Sequence, residues 1–286
     1  MVVQRHRGRG GAVAAASGLL VGLGLVSTGC SGMGAAADDR GAGRAADAAA
    51  VRRAADVLAR SGSSRVRTSM ETATGGTRVT IRGYGAFDYG RRLGRLRVVL
   101  PQDAAGGAEH RPVTELLAPG ALYMKDRGAG VPPDKWVRVD TTGLADGNLV
   151  TGGATDPLSA AELLRGAREV TFVGEEKAGE GGVPVLHYRG TADIARAAAA
   201  ASPSARGALR AAARGFSERR VPFDVFLDEQ GRLRKVRHRF TFSGGGGSAG
   251  TEVVSTTVLY GFGSGVAIEL PAERDIYAGK IAVPEA

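Results

Sequence analysis

Apolar side chains recur at every second position over long stretches of this chain, and at helical spacing over only a few. From Arg65 onward the period is two. The stretch from Thr77 to Tyr89 places Val79, Ile81, Phe87 and Tyr89 on one side, with Gly83 and Gly85 between them, and so predicts a strand. Leu96, Val98 and Leu100 alternate with Arg95 and Arg97. Ala121 to Lys125 and Trp136 to Asp140 read as two strands joined by the loop RGAGVPPD. Glu169 to Glu175 and Val183 to Thr191 are two more, around a glycine-rich turn. The clearest hairpin follows. Val221, Phe223, Val225 and Leu227 alternate with Pro222, Asp224 and Phe226; Asp228 to Gly231 turns; Arg232 to Phe242 returns. A last long strand, Thr251 to Gly261, comes after the glycines at Gly244 to Gly247.

Helical spacing is confined to three places. Val51, Ala54, Ala55 and Leu58 share one face of a helix predicted from Asp47 to Arg60, ended by Ser61-Gly62-Ser63. Asp156-Pro157 opens a short helix through Arg165, with Asp156 as N-cap and proline in the first turn. Ile194 to Arg214 is alanine-rich and helical, interrupted at Ser202-Pro203. Long neighbouring strands with short turns favour one antiparallel sheet over βαβ units. The expected fold is therefore α+β: a single strongly curved antiparallel β-sheet with helices covering its concave face. Its inward positions would be Val79, Ile81, Phe87, Leu96, Val98, Phe223, Val225, Val236 and Phe240, the candidate ligand-binding wall. Filling that face is a problem, because the chain has 8 Phe, 1 Trp and 6 Tyr, and its helices are mostly alanine. Two solutions are open: close backbone packing, or a hydrophobic ligand in the space.

The N-terminus speaks to location. Arg5, His6, Arg7 and Arg9 form a basic region, an apolar run from Ala12 to Val26 follows, and no charged residue occurs before Asp38. The run ends in Val26-Ser27-Thr28-Gly29-Cys30, which resembles a bacterial lipobox, with Ser27 where leucine is usual. The resemblance implies a signal peptide over residues 1–29, cleavage after Gly29 and a diacylglycerol thioether on Cys30, hence a protein held at the outer face of the cytoplasmic membrane. Residues 30–46 read as a flexible tether and residues 47–286 as the folded domain. Cys30 is the only cysteine, so intrachain disulfides and cysteine-based metal sites are excluded. The net charge of +9 includes Arg5, Arg7 and Arg9, which leaves a moderate excess on the rest and weakens any nucleic-acid reading.

Several segments resemble actinobacterial lipoproteins of the LppX/LprAFG type. Leu122-Tyr123-Met124-Lys125 followed by Trp136-Val137-Arg138-Val139-Asp140 is similar to that family's LYxK…WVxVD hairpin. Val173-Gly174-Glu175-Glu176 and Gly182 to Thr191 (GVPVLHYRGT) resemble its VGEE…GVxTxHYxGxxD segment, with Asp193 one alanine later. Val221 to Asp228 with Gly231 and Leu233 resembles PxDVWLDxxGxLxR, and Leu259 to Ile268 its closing YxxFGxxVxI. The resemblance implies a LolA-like half-barrel with helices over its mouth and an apolar cavity for acylated lipids or glycolipids, carried or presented in the envelope. The glycine run before Thr251 and the alanine-rich helices around Pro203 depart from the pattern.

No catalytic or cofactor chemistry is predicted. His6, His110, His187 and His238 lie in separate segments without metal-ligand spacing. His187 suits packing and a hydrogen bond; His238 shares a strand face with Val236, Phe240 and Phe242, as a core residue or with a polar tip in the cavity. There is no GxSxG elbow, and the carboxylate pairs Glu175/Glu176 and Asp228/Glu229 fall at strand ends and turns. Trp136 reads as a core or cavity-wall aromatic. Arg214, Arg219, Arg220, Arg232, Arg234, Lys235, Arg237 and Arg239 cluster as a solvated face or a contact for anionic headgroups. Two functions are therefore carried forward: a lipid carrier with no cofactor, and a membrane-tethered interaction or sensory module with an envelope protein partner.

Overall fold

The computed structural model describes residues 34–74, 77–100, 112–125, 130–150, 156–178, 181–242 and 251–278. Cys30, the leader, His110 and the Gly244 to Gly247 run lie outside the described residues. Arg40–Ala286 form one compact unit; of the other, Met1–Asp39, the described part is the opening of the first helix. None of the described helices is long and apolar enough to cross a membrane.

Helix α1 (Gly34–Ala59) leads into β1 (Ser63–Thr74), β2 (Thr77–Asp88), β3 (Leu93–Val99), β4 (Val113–Ala118), β5 (Ala121–Lys125) and β6 (Trp136–Asp140). Helix α2 (Pro157–Leu163) follows, extended by a 3₁₀ turn at Leu164–Gly166, then β7 (Ala167–Ala178) and β8 (Val183–Asp193). Helices α3 (Ile194–Ala200) and α4 (Pro203–Gly215) precede β9 (Arg220–Leu227), β10 (Leu233–Phe242) and β11 (Thr251–Tyr260). All the strands join one antiparallel sheet of 11 in the order β6-β5-β4-β3-β2-β1-β11-β10-β9-β8-β7. The chain thus builds one half of the sheet outward from β1 and returns through β7 to β11, whose pairing with β1 joins the halves. β6 and β7 are its two edges, and the sheet does not close into a barrel.

The predicted alternation places one face of the sheet inward. Val66, Leu96, Val98, Val113, Leu117 and Leu122 from one half share a single core with Val221, Val225, Val236, Val253 and Leu259 from the other. Val51, Ala54, Ala55 and Leu58 of α1, each at most 2% exposed, belong to the same core, as the heptad-like spacing required. α1 starts at Gly34, well upstream of Asp47, so much of the segment read as a tether is helical. Its abundant alanine, the best helix former, explains that extension where apolar periodicity is silent.

The edges differ. At β6 the C-terminal segment returns: Ile276 bridges Trp136 in parallel, and the Tyr277 N–H donates to the Trp136 carbonyl at 2.8 Å. β7 has no such cover among the described residues; two register shifts against β8 bend it, and it carries Arg168, Glu169, Glu175, Glu176 and Lys177.

Candidate functional site

A half-open cavity of about 210 Å³ lies where the ends of β2 and β4 meet α2 and α4. Phe87 and Leu117 supply its sheet side, Leu158 and Glu162 its α2 side, and Ala205 and Ala208 its α4 side. Arg92, Thr141, Asn148, Asp156 and Ser204 also line it. The volume falls below the usual range for small-molecule sites, roughly 300–1,000 Å³, so a larger guest requires its walls to give.

The wall formed by α4 is held by backbone contact rather than by large side chains. Gly147 sits at φ +61°, and a Cβ there would stand 2.1 Å from the Ala208 carbonyl oxygen; one on Gly215 would stand 2.2 Å from that of Ala145. The loop before α2 therefore lies directly on the α4 backbone. Ala212 meets Gly147 in the same contact, Ala197 meets Gly166 in a similar one, and both alanines are buried in the core. This is the first of the two solutions to the filling problem: alanine occupies a core when backbones come close.

The expected cap of α2 is formed: the Leu158 N–H donates to Asp156 Oδ1 at 2.9 Å and the Ser159 hydroxyl to Oδ2 at 2.5 Å. Burial pushes the Asp156 carboxyl above the ordinary carboxylate range, against those hydrogen bonds and the nearby charge of Arg92. Glu162, one turn on, ties three helices together. It accepts from Arg165 Nε at 2.8 Å and from the Ser202 N–H, at the α3–α4 joint, at 3.1 Å. Arg165 Nη2 reaches on to Asp56 of α1 at 2.6 Å, and that hydrogen bond holds the Asp56 carboxyl below its usual range. The Ser202 side chain makes no capping bond to α4; Glu162 and Arg206, whose Nη2 donates to the Ala201 carbonyl at 3.1 Å, hold the joint.

Seven of the nine predicted wall residues, Phe87, Leu96, Val98, Phe223, Val225, Val236 and Phe240, are buried together in the main core. Ile81 is half-buried and packs against them. Val79 does not join: it is 38% exposed, at the start of β2 and outside the Arg82–Asp88 stretch that pairs with β3 among the described residues. Of the nine, only Phe87 lines the cavity described above. Phe223 instead lines a more open groove of about 580 Å³ along β7, β8 and β9, beside Phe172 and Arg239. Arg92 and Asn148 carry no signal in the sequence; Asp156 reads there as a helix cap and α4 as the second half of a proline-interrupted helix.

The inner face also holds polar atoms. His238 is 2% exposed and Thr257, on the neighbouring strand, 1%; among the described residues neither His238 Nε2 nor Thr257 Oγ1 has a hydrogen-bond partner. His238 faces Ser255 across the β10–β11 pair, and Thr257 faces Thr68 across β1–β11. Burial lowers the His238 pKa to about 3, so the imidazole is neutral. Each orphaned group costs about 1–3 kcal/mol of desolvation.

On the outer face, His187 stacks on Phe226 with ring centres 4.2 Å apart and bonds Glu176 at 2.7 Å and Asp224 at 2.9 Å. Asp224 also accepts from Arg189 and Arg239; burial alone would raise its pKa, yet the His187 and Arg189 hydrogen bonds leave it lowered. Arg232 and Arg234 both donate to Asp228 Oδ2 at 2.8 Å. Much of the basic cluster is thus internally paired. Trp136 is half-buried on the outer face, against a satellite cluster of Leu93, Leu116 and Ile268, away from the cavity.

No family model matches the chain, and no curated protein matches it. Among solved structures it is similar to the Mycobacterium tuberculosis lipoprotein LppX, at 12% identity over 79% of this chain and 99% of that one, with a TM-score of 0.45. It is similar to LprF from Mycobacterium bovis at 13% identity over 80% and 98% of the two chains, with a TM-score of 0.41. A LolA superfamily protein from Nitrosomonas europaea aligns at 12% identity over 81% and 97%, with a TM-score of 0.31.

Proposed function

We propose that this chain is an extracytoplasmic lipoprotein, anchored through Cys30, that takes an acylated lipid or glycolipid between the inner sheet face and helices α2, α3 and α4 and carries or presents it in the envelope. The observation that carries this reading is the cavity at the α4 wall. It continues the apolar core at Phe87 and Leu117, and it is closed by Ala205 and Ala208 instead of bulky side chains. A wall of small side chains buries little apolar area per residue, so an acyl chain entering beside it adds surface that alanine lacks. Such elements come from the low-stability end of a structure. The helices then serve as a movable cover over the concave side of the sheet, with Ser202-Pro203 as the joint. The lipobox-like Val26 to Cys30 segment supplies the location, and no cofactor enters.

A second reading has its own support. Glycine-on-alanine contacts already seal α4 against the loop before α2, and α3 against the 3₁₀ turn, which suits a membrane-tethered interaction or sensory module with a filled core and an envelope protein partner. Native mass spectrometry of the full chain, produced with its leader and extracted from membranes, separates the two. Co-purified acylated lipid is the expected result. An empty protein that captures an envelope partner overturns the carrier reading. Replacing Cys30 with alanine should release the folded domain into the soluble fraction; retention on the membrane without processing refutes the anchor.

A further inference from the structure

Two polar atoms on the inner face have no reason to be there if the core is only a hydrophobic filler. His238 Nε2 and Thr257 Oγ1 lie on adjacent strands, β10 and β11, and neither has a partner among the described residues. Both residues project from the same face as Val236 and Phe240, since Thr257 pairs with Val236 and His238 with Ser255. That makes them diagonal neighbours, with backbones roughly 7–8 Å apart and side chains on one face. Ser255 and Thr68, both buried, continue the polar strip on β11 and β1.

The surroundings of His238 are otherwise apolar. Its ring lies against Phe223, centres 6.5 Å apart, and against Phe240, centres 5.9 Å apart. Phe240 in turn meets Phe216, the residue that ends α4, with centres 5.6 Å apart. Movement of α4 that carries Phe216 away would open the approach to this strip.

Resting on the lipid reading above, we infer that His238 and Thr257 form a polar anchor for the ester carbonyl of a diacyl lipid, gripping the middle of the ligand while its chains lie on the apolar face. The imidazole, neutral in this setting, donates from Nε2 in the tautomer that carries its proton there, and the threonine hydroxyl donates from Oγ1. A carbonyl oxygen has two lone pairs and accepts both. Neither a charged headgroup nor a bare hydrocarbon matches this pair: the first brings charge into a dry core, and the second leaves both atoms orphaned.

The test compares dipalmitoylglycerol with its dihexadecyl diether, which has the same chains and no carbonyl. Binding of each to the purified mature protein is read by displacement of a pyrene-labelled acyl probe. The wild-type protein is expected to favour the ester about tenfold, the worth of a net hydrogen bond or two. His238→Phe and Thr257→Val should each narrow that preference, and the double variant should abolish it while keeping diether affinity. Equal binding of ester and diether by the wild-type protein, which needs no variant to fold, overturns the anchor and leaves the strip to buried water. A preference that survives the double variant also overturns it. Failure of both lipids to bind also overturns the anchor, while the lipid reading stands or falls by the mass-spectrometric test above.

Discussion

His238 makes the stability of this protein depend on pH in a way that one substitution should erase. The ring is buried and its pKa falls from 6.5 to about 3, driven by burial. Below pH 6.5 the unfolded chain takes up a proton at this site and the native chain does not. Unfolding therefore gains protons, and stability declines as the pH falls from the unfolded value toward the folded one. Each pH unit through that window is worth about 1.36 kcal/mol, so at pH 5 the penalty relative to pH 7.5 is about 2 kcal/mol. For a domain of this size that is a loss of roughly 4–8 °C in Tm. His238→Phe keeps a planar ring among Phe223 and Phe240 and removes the titration. The assay is urea denaturation of both proteins at pH 7.5, 6 and 5, comparing the difference between them at each pH. Every other titrating group, including Asp156 with its opposite shift, is common to both and cancels. The variant should gain on the wild type by about 2 kcal/mol across the range. Parallel loss of stability in the two proteins would mean that the imidazole is protonated in place, and the reasoning from burial would fail.

Gly147→Ala places a methyl group against the Ala208 backbone at φ +61°, and should cost about 2–4 kcal/mol of stability, while Gly143→Ala, with open space around it, changes Tm little. Glu162→Ala takes one of the two carboxylate partners of Arg165, which keeps Asp56, and the acceptor of the Ser202 N–H; it should cost about 1–3 kcal/mol, with hydrogen exchange across Pro203–Gly215 accelerating more than exchange in β9. Glu162→Gln keeps an acceptor for Ser202 and should lose less by the same measurements. Val225→Trp should cost on the order of 1–3 kcal/mol in chemical denaturation, since Val225 is fully buried; a tryptophan accepted without loss would reveal empty volume at that point on the inner face.

The strands were legible because alternation is a property of each strand alone. The β9–β10 hairpin and the β2 pattern needed no partner to be read. β4 was not foreseen, since Leu116 and Leu117 are adjacent apolar residues; Leu117 faces the main core and Leu116 the satellite cluster under Ile268. β9 shows the same limit, with Asp224 and Phe226 buried on its outer face by His187, Arg189 and Lys235 from neighbouring strands. The cavity was the least legible feature. Its lining is gathered from separate turns, a cap and a helix of small residues, none of which carries a period. The wall residues chosen by alternation do share a face, but the pairing of β2 with β3 stops short of Val79, and only register could show that. His238 was readable as inward-facing; that its Nε2 finds nothing to bond depends on what stands around it in space.

The unequal treatment of the two sheet edges bears on how copies of this protein would associate. β7 is defended by its own irregularity and charge, a defence that persists whatever happens to the rest of the chain. β6 is short and regular, and it relies on a borrowed strand: Ile276 and Tyr277 come from the extreme end of the described chain. Loss of that end by proteolysis would free the Trp136 end of the β6 edge, where the bridge and the hydrogen bond are made, while leaving β7 as unreceptive as before. A protein with a single adhesive edge cannot polymerise by strand addition, because pairing two such edges about a two-fold axis leaves none free. Clipping the C-terminal segment should therefore yield discrete dimers and not fibrils, an outcome that size-exclusion chromatography reads.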